Sequence, residues 1–146
     1  MVELLGRPVA IVVAGRDERL RPSIVRAWGP LLDAERGELE LGLSSTPEAR
    51  AVSALRAHGD VAVNVVSPTT YHSIQVKGQA ISVGEPTPEQ LERAAAHLAV
   101  FTDEVEQVGI PRAFAPRFMG AIGAAVRIEL REFFDQTPGP GAGRAL

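Results

Sequence analysis

The sequence contains no cysteine. Disulfides are thereby excluded, and every thiolate metal site with them. This fits a reducing compartment, and we expect the cytoplasm. Lysine is almost missing: of 15 basic residues only Lys77 is not an arginine. A basic excess is lacking too, since the net charge is −3 and the pI about 5.6. Broad nucleic-acid binding needs a basic face that displaces counterions, so no nucleic-acid partner is expected. No apolar run approaches the roughly 18 residues of a membrane span. The opening MVELLGRPVAIVVAG carries Glu3 and Arg7 inside its apolar stretch. It has neither the basic start nor the cleavage site of a signal peptide.

Familiar catalytic and metal motifs are also missing. His58, His72 and His97 have no second histidine or carboxylate at a metal-binding spacing. His58 reads as a helix C-terminal residue and His97 as a helix-face residue. The stretch GLSST (42–46) is not a G-x-S-x-G nucleophile elbow. Asp103 and Glu104 fall on the polar face of a helix and read as solvated. The tail FDQTPGPGAGRAL (134–146) holds Gly139, Gly141 and Gly143, but no helix follows them. Pro138 and Pro140 interrupt, and a phosphate loop needs a helix N-terminus behind its glycines. The tail instead reads as an extended segment lying on the surface or on a partner subunit.

What is present is a chain of 146 residues, 45% hydrophobic. That is one domain's length and enough for an ordinary core. VAIVV (9–13) reads as a strand buried on both faces. RPSIVRAW (21–28) reads as a second strand, GPLLDAERGE as a turn-bearing connection, and ELELGL (38–43) as a half-buried strand. A helix over 47–58 is expected, with Thr46 as N-cap, Pro47 at the first position and Gly59 as a left-handed C-terminal cap. DVAVNVV (60–66) and YHSIQVKGQAISV (71–83) are further strands.

A long helix starts at Pro88, with Thr87 and Gln90 forming a capping box, and ends near Gly109 and Pro111. RAFAPRFM (112–119) reads as a helical turn and AAVRIELREF as a final strand. Strands come in runs, not in alternation with helices. The class is therefore α+β, an antiparallel sheet or barrel with attached helices.

The strand at 71–83 is the most informative. Ser73, Gln75, Lys77 and Gln79 share one face; Ile74, Val76, Gly78 and Ala80 share the other. The polar face is either a wet exterior or a wall facing a ligand. After Ala80 the apolar phase passes to Ile81 and Val83, which points to a bulge. In the second strand, Ile24, Arg26 and Trp28 share a face, and Arg26 there needs an anion or an exit to solvent. Arg50 falls in a helix's first turn, where amide groups already favour an anion.

The run from RPSIVRAW through LELGLSSTPEARAVSALRAHGDVAVNVV to the strand bearing Q-x-K-G-x-A resembles the pyridoxamine 5'-phosphate oxidase-like, FMN-binding split-barrel family. The tail FDQTPGPGAGRAL resembles that of a small-protein branch. The resemblance implies a mainly antiparallel six-stranded split β-barrel over 1–135, followed by a Gly/Pro-rich tail over 136–146. It also implies a homodimer with FMN or a related flavin at the interface. Carried over by position, Ser23, Val25, Arg26 and Trp28 run along the isoalloxazine and Arg50 meets the flavin phosphate. Gln75 and Ser73 lie near the ring or ribityl chain, with Lys77 a further candidate.

There are departures. The true oxidases place two basic residues together at the helix start, and a basic residue where Trp28 stands. Their C-terminal half is also different. Vitamin B6 oxidation is therefore not expected. The expectation is a flavin (FMN)-binding oxidoreductase of unknown small-molecule substrate, with no catalytic side chain or metal. The alternative is a non-catalytic binding or sensing module on the same barrel, holding a deazaflavin, haem or no cofactor.

Overall fold

A computed structural model of the chain describes residues 1–46, 49–117 and 120–146. Six strands form the body: β1 (Ala10–Arg16), β2 (Pro22–Asp33), β3 (Glu38–Ser44), β4 (Asp60–Val66), β5 (Ser73–Gly84) and β6 (Ile122–Asp135). They pair antiparallel in the order β3-β2-β1-β4-β5-β6, and a β3–β6 ladder closes the barrel. Closure leaves none of the six with an edge along its whole length, which removes a template for aggregation.

Period-2 alternation sends one set of side chains inward on every strand. Ile11 and Val13, Leu39 to Leu43 at alternate positions, Val61 to Val65 likewise, and Val126 with Ile128 make one dry core. The helix α2 (Arg50–His58) stoppers one end of it with Val52 and Leu55. Gly59 follows in the left-handed conformation, φ 73°, and its carbonyl accepts from Ala80 N at 2.7 Å. A side chain there would collide with the Gln79 amide, whose nitrogen would lie 2.0 Å from the added Cβ.

The long helix α3 (Pro88–Gln107) begins with the expected capping box between Thr87 and Gln90. It lies outside the barrel and builds a second, smaller core with Trp28, Ala94, Phe101 and Val105. Glu40 on β3 ties the helix down through Arg93. Burial opposes the charge on Glu40, but hydrogen bonds from Gln90 and Arg93, with Arg127 nearby, outweigh it and hold the carboxyl below its ordinary range.

Several expectations need correction. The GPLL stretch is not a loop: β2 runs on to Asp33, with a register shift between Trp28 and Leu31. The turn falls later, where Asp33 accepts from the backbone of Glu35 and Arg36. The middle helix starts at Arg50 with Ala49 as N-cap and no side-chain cap; Pro47 and Glu48 lie outside the described residues, as do Phe118 and Met119. The turn expected near 112–119 is a 3-10 helix over Arg112–Arg117. The bulge on β5 is there, with register shifts after Lys77 and between Ala80 and Ser82. Its effect differs from the simple phase change: Val83 packs on the core while Ile81 is 49% exposed.

Two elements had no sequence expectation, α1 (Val2–Leu5) and β7 (Arg144–Ala145). The tail turns back so that β7 pairs with Phe134 and Asp135 of β6, and Gly143 N donates to the Asp135 carbonyl at 2.6 Å. Among the described residues no helix is long and apolar enough to cross a membrane.

Candidate functional site

The registers of β2, β1, β4 and β5 place outward side chains in rows that cross the sheet. Arg16 faces Pro22 of β2 on one side, and on the other it forms an ion pair with Asp60, the first residue of β4. The next row reads Ile24, Ala14, Ala62, Lys77 and Glu132. The row after it reads Arg26, Val12, Asn64, Gln75 and Phe134. The fourth reads Ala10, Val66 and Ser73, with Ala10 packed against the cluster that holds Trp28. The middle rows form a shelf of small side chains ringed by hydrogen-bonding and cationic ones.

Of the eight positions marked by the sequence, this wall gathers four side chains: Arg26, Gln75, Lys77 and, at its edge, Ser73. Ser73 is buried and donates to Asn64 Oδ1 at 3.3 Å, with its backbone N donating to Thr137 Oγ1. Lys77 is exposed and its ammonium lies 4.7 Å from the Phe134 ring centroid. Arg26 is exposed, so it has the exit to solvent that its place in the strand demanded. Ile24 beside it is 72% exposed, a large apolar surface on an otherwise well-packed barrel.

Val25 and Ser23 point the other way, toward the barrel interior. Val25 belongs to the core, and the Ser23 hydroxyl is buried without a hydrogen-bond partner. Trp28 shares the wall's face but is 2% exposed, because α3 covers it. Its Nε1 donates to Ser44 Oγ at 2.8 Å. A ligand on the wall reaches Val25 and Trp28 only through backbone.

Arg50 opens α2 and donates through Nη2 to the Pro22 carbonyl at 2.9 Å, so it sits at the start of β2. Between α2 and the β1–β2 hairpin lies an open cavity of about 410 Å³, lined by Arg50, Ser53, His58, Arg19 and Arg21 among others. The hairpin is held by Asp17, which accepts from the backbone of Arg19 and Arg21 and from the Arg21 side chain. Those contacts, the Arg21 backbone first, keep the Asp17 carboxyl below its usual range. They also hold Leu20 at φ 59°, a conformation rare outside glycine.

A second concavity, about 470 Å³, opens on the shelf itself beside Ala14, Arg16, Ala62 and Lys77. Arg16 lines this one and its chain neighbour Asp17 lines the other. On this side Arg16, Arg19, Arg21, Arg26, Arg50 and Lys77 outnumber Asp17, Glu18, Asp60 and Glu132. This side thus carries a small cationic excess on a chain of negative net charge, which favours an anionic ligand.

Ala14, Ala62, Asn64 and the arginines of the hairpin were not singled out by the sequence. The signal was available: VAIVVAGR and DVAVNVV both alternate larger inward with smaller outward residues. Reading the first as buried on both faces hid it, because Ala10, Val12 and Ala14 are only half-buried. Among the described residues no cluster of histidine and carboxylate side chains is placed to hold a metal.

No protein-family model and no curated protein sequence matches the chain. Solved structures do. HupZ of Group A Streptococcus is 14% identical, with a TM-score of 0.59 over 97% of this chain and 94% of that one. An F420 reductase is 18% identical, with a TM-score of 0.56 over 90% and 93%. A putative pyridoxamine 5'-phosphate oxidase from Lactobacillus delbrueckii is 12% identical, with a TM-score of 0.54 over 91% and 88%. At these identities the likeness is one of fold: a closed six-stranded antiparallel barrel with a seventh strand outside and flanking helices. The chain therefore has the split-barrel fold of the pyridoxamine 5'-phosphate oxidase-like proteins.

Proposed function

We propose that the wall bearing Arg26, Gln75 and Lys77 binds a flavin-type cofactor, FMN or a deazaflavin, and that the protein is a flavin-dependent oxidoreductase working as a homodimer. The observation that carries this is the wall itself. A shelf built on Ala14, Ala62 and Val12 is flanked by amide and cationic donors, with Arg50 near the start of β2 at the end where a phosphate would lie. The donor set fits the group: an arginine fork and the α2 amides for an anion, amides of Gln75 and Asn64 for ring edges. When bound, the flavin supplies the electron or hydride transfer, and the protein contributes binding, orientation and electrostatics.

In this reading Arg50 holds the anionic end. Ala14 and Ala62 permit close approach, and Lys77 and Arg26 place positive charge beside the ring. The exposed Ile24 is covered by the second subunit, which also keeps water from the cofactor. The neighbours in fold, an F420 reductase among them, support this class of chemistry without identifying the substrate.

The visible absorption spectrum of freshly purified protein tests the reading, with heat release and mass identification of any pigment. A flavin or deazaflavin spectrum is expected. In titrations Arg50→Ala is expected to weaken cofactor binding by about 1.5–3 kcal/mol, the size of a charge-assisted contact. Colourless protein that binds neither added FMN nor a deazaflavin rejects the proposal.

One observation favours a second reading, a binding module without turnover. Arg50 is the one basic residue in the first turn of α2, followed by Ala51 and Val52. Steady-state reduction with nicotinamide donors separates the two, since a module would hold the cofactor and not cycle it.

A further inference from the structure

The cavity between α2 and the β1–β2 hairpin is larger than one phosphate at Arg50 requires. Its volume of about 410 Å³ falls within the range of small-ligand pockets. On one side it is lined by Arg50, Ser53, Ala54, Ala57 and His58. These positions follow the i, i+3, i+4 spacing of a single helix stripe, so the cavity runs the length of α2. From Arg50 to His58 that is about 12 Å along the axis, at 1.5 Å per residue. A phosphate at hydrogen-bond distance from the Arg50 guanidinium occupies only the first turn. Beyond it the stripe offers small side chains, the Ser53 hydroxyl and, at the far end, His58.

The facing side brings further positive charge. Arg19 and Arg21 line the cavity from the hairpin, whereas Leu20 between them does not. Two acids line it as well, Asp17 and Glu18. Asp17 is engaged within the hairpin: it accepts from the backbone of Arg19 and Arg21 and from Arg21 Nε at 2.8 Å. The charges that remain for a ligand are Arg19 and Arg50 against Glu18. The hairpin is also fixed through its backbone. Asp17 N donates to the Arg21 carbonyl at 3.1 Å, and Leu20 N to the Asp17 carbonyl at 2.9 Å. Leu20 is held at φ 59°, a costly conformation for leucine, and is 69% exposed. Arg19 and Arg21 are therefore set in place before a ligand arrives, which lowers the ordering cost of binding.

We propose that this cavity binds the nucleoside diphosphate half of a dinucleotide, whose flavin half lies on the wall in the reading above. Arg50 takes one phosphate and the hairpin arginines the other, since a guanidinium fork suits phosphate oxygens. The nucleoside lies along the stripe of α2, where Ala54 and Ala57 leave room for it. The inference rests on the flavin reading for the ring end only. The diphosphate end stands on the cavity, its length and its cations.

The test is calorimetric titration of the full chain with FAD, FMN and ADP. FAD is expected to bind at least tenfold more tightly than FMN, and ADP alone to saturate below about 1 mM. Arg19→Ala, at an exposed position, should weaken FAD and ADP about tenfold, and more than it weakens FMN. Glu18→Gln removes the remaining acid and should strengthen ADP binding. FAD binding no more tightly than an FMN that does bind overturns the proposal. So does ADP that fails to saturate by about 10 mM, or ADP binding that Arg19→Ala leaves unaltered. The flavin reading fails separately: ADP bound through Arg19, with no flavin bound by any route, keeps this site and rejects the wall.

Discussion

The two ends of β2 present the same face of the same strand and meet opposite fates. At one end Ile24 and Arg26 stand open to solvent beside Arg50. At the other Trp28 is sealed beneath α3, in edge contact with His97 and Phe101 at 5.6 and 5.4 Å between ring centroids. The alternation of β2 does not distinguish them. Coverage does, and coverage is decided by where α3 crosses. Gly29 makes the crossing possible: at φ +62°, with a would-be Cβ 2.6 Å from Ala94 N, it lets the helix backbone lie almost against the strand. The sealed end holds the barrel and helix together. The open end has little packing to lose.

This contrast can be broken from the sealed end first. Trp28→Ala removes the centre of the smaller core and the bond to Ser44, and should cost about 3–5 kcal/mol in urea denaturation. A loss below about 1 kcal/mol would mean that α3 is not docked as described. Gly29→Ala forces both a left-handed alanine and a backbone collision, and a loss of about 3 kcal/mol is expected by the same measurement.

Acid should act on the same seam. His97 is neutral in the fold with a pKa of about 4, against an ordinary value of 6.5 when unfolded. The unfolded chain therefore binds the proton more readily. Stability is whole above about pH 6.5 and falls as the pH drops toward 4, by about 3 kcal/mol in all. His97→Asn should abolish this slope whatever its own stability.

The smallest stability effects belong to the open end. Lys77→Ala and Arg50→Ala remove exposed side chains and should each change folding stability by less than about 0.5 kcal/mol. Their effect should appear instead in cofactor titration. If Arg50→Ala destabilised the fold strongly and left cofactor affinity unchanged, the open end would be structural and the comparison would fail.

Much of this was legible in the residues. Thr87 and Gln90 announced the start of α3, Gly59 the end of α2, and the alternation of 60–66 and 71–83 two central strands. Local rules suffice there, since capping and period-2 burial involve only near neighbours in the chain. The bulge in β5 was also signalled, although Ile81 turned outward because two register shifts, not one, reset the pleat.

The site was less legible. Arg50, Gln75 and Lys77 could be marked as polar residues in suitable places. That Lys77 stands in one row with Ile24, Ala14 and Ala62 depends on three inter-strand registers. The sequence could name His97 as a helix-face residue. It could not show that His97 Nδ1 takes the Gly29 amide across the seam between helix and strand.

The sequence by itself thus determined the class of fold, the inward alternation of the central strands, the start of α3 and the end of α2, because each follows from contacts a few residues apart. Only the tertiary structure decided which outward faces are covered and which stay open. That choice depends on how a distant helix crosses a strand and on the register between strands, and neither is encoded in a local stretch of residues.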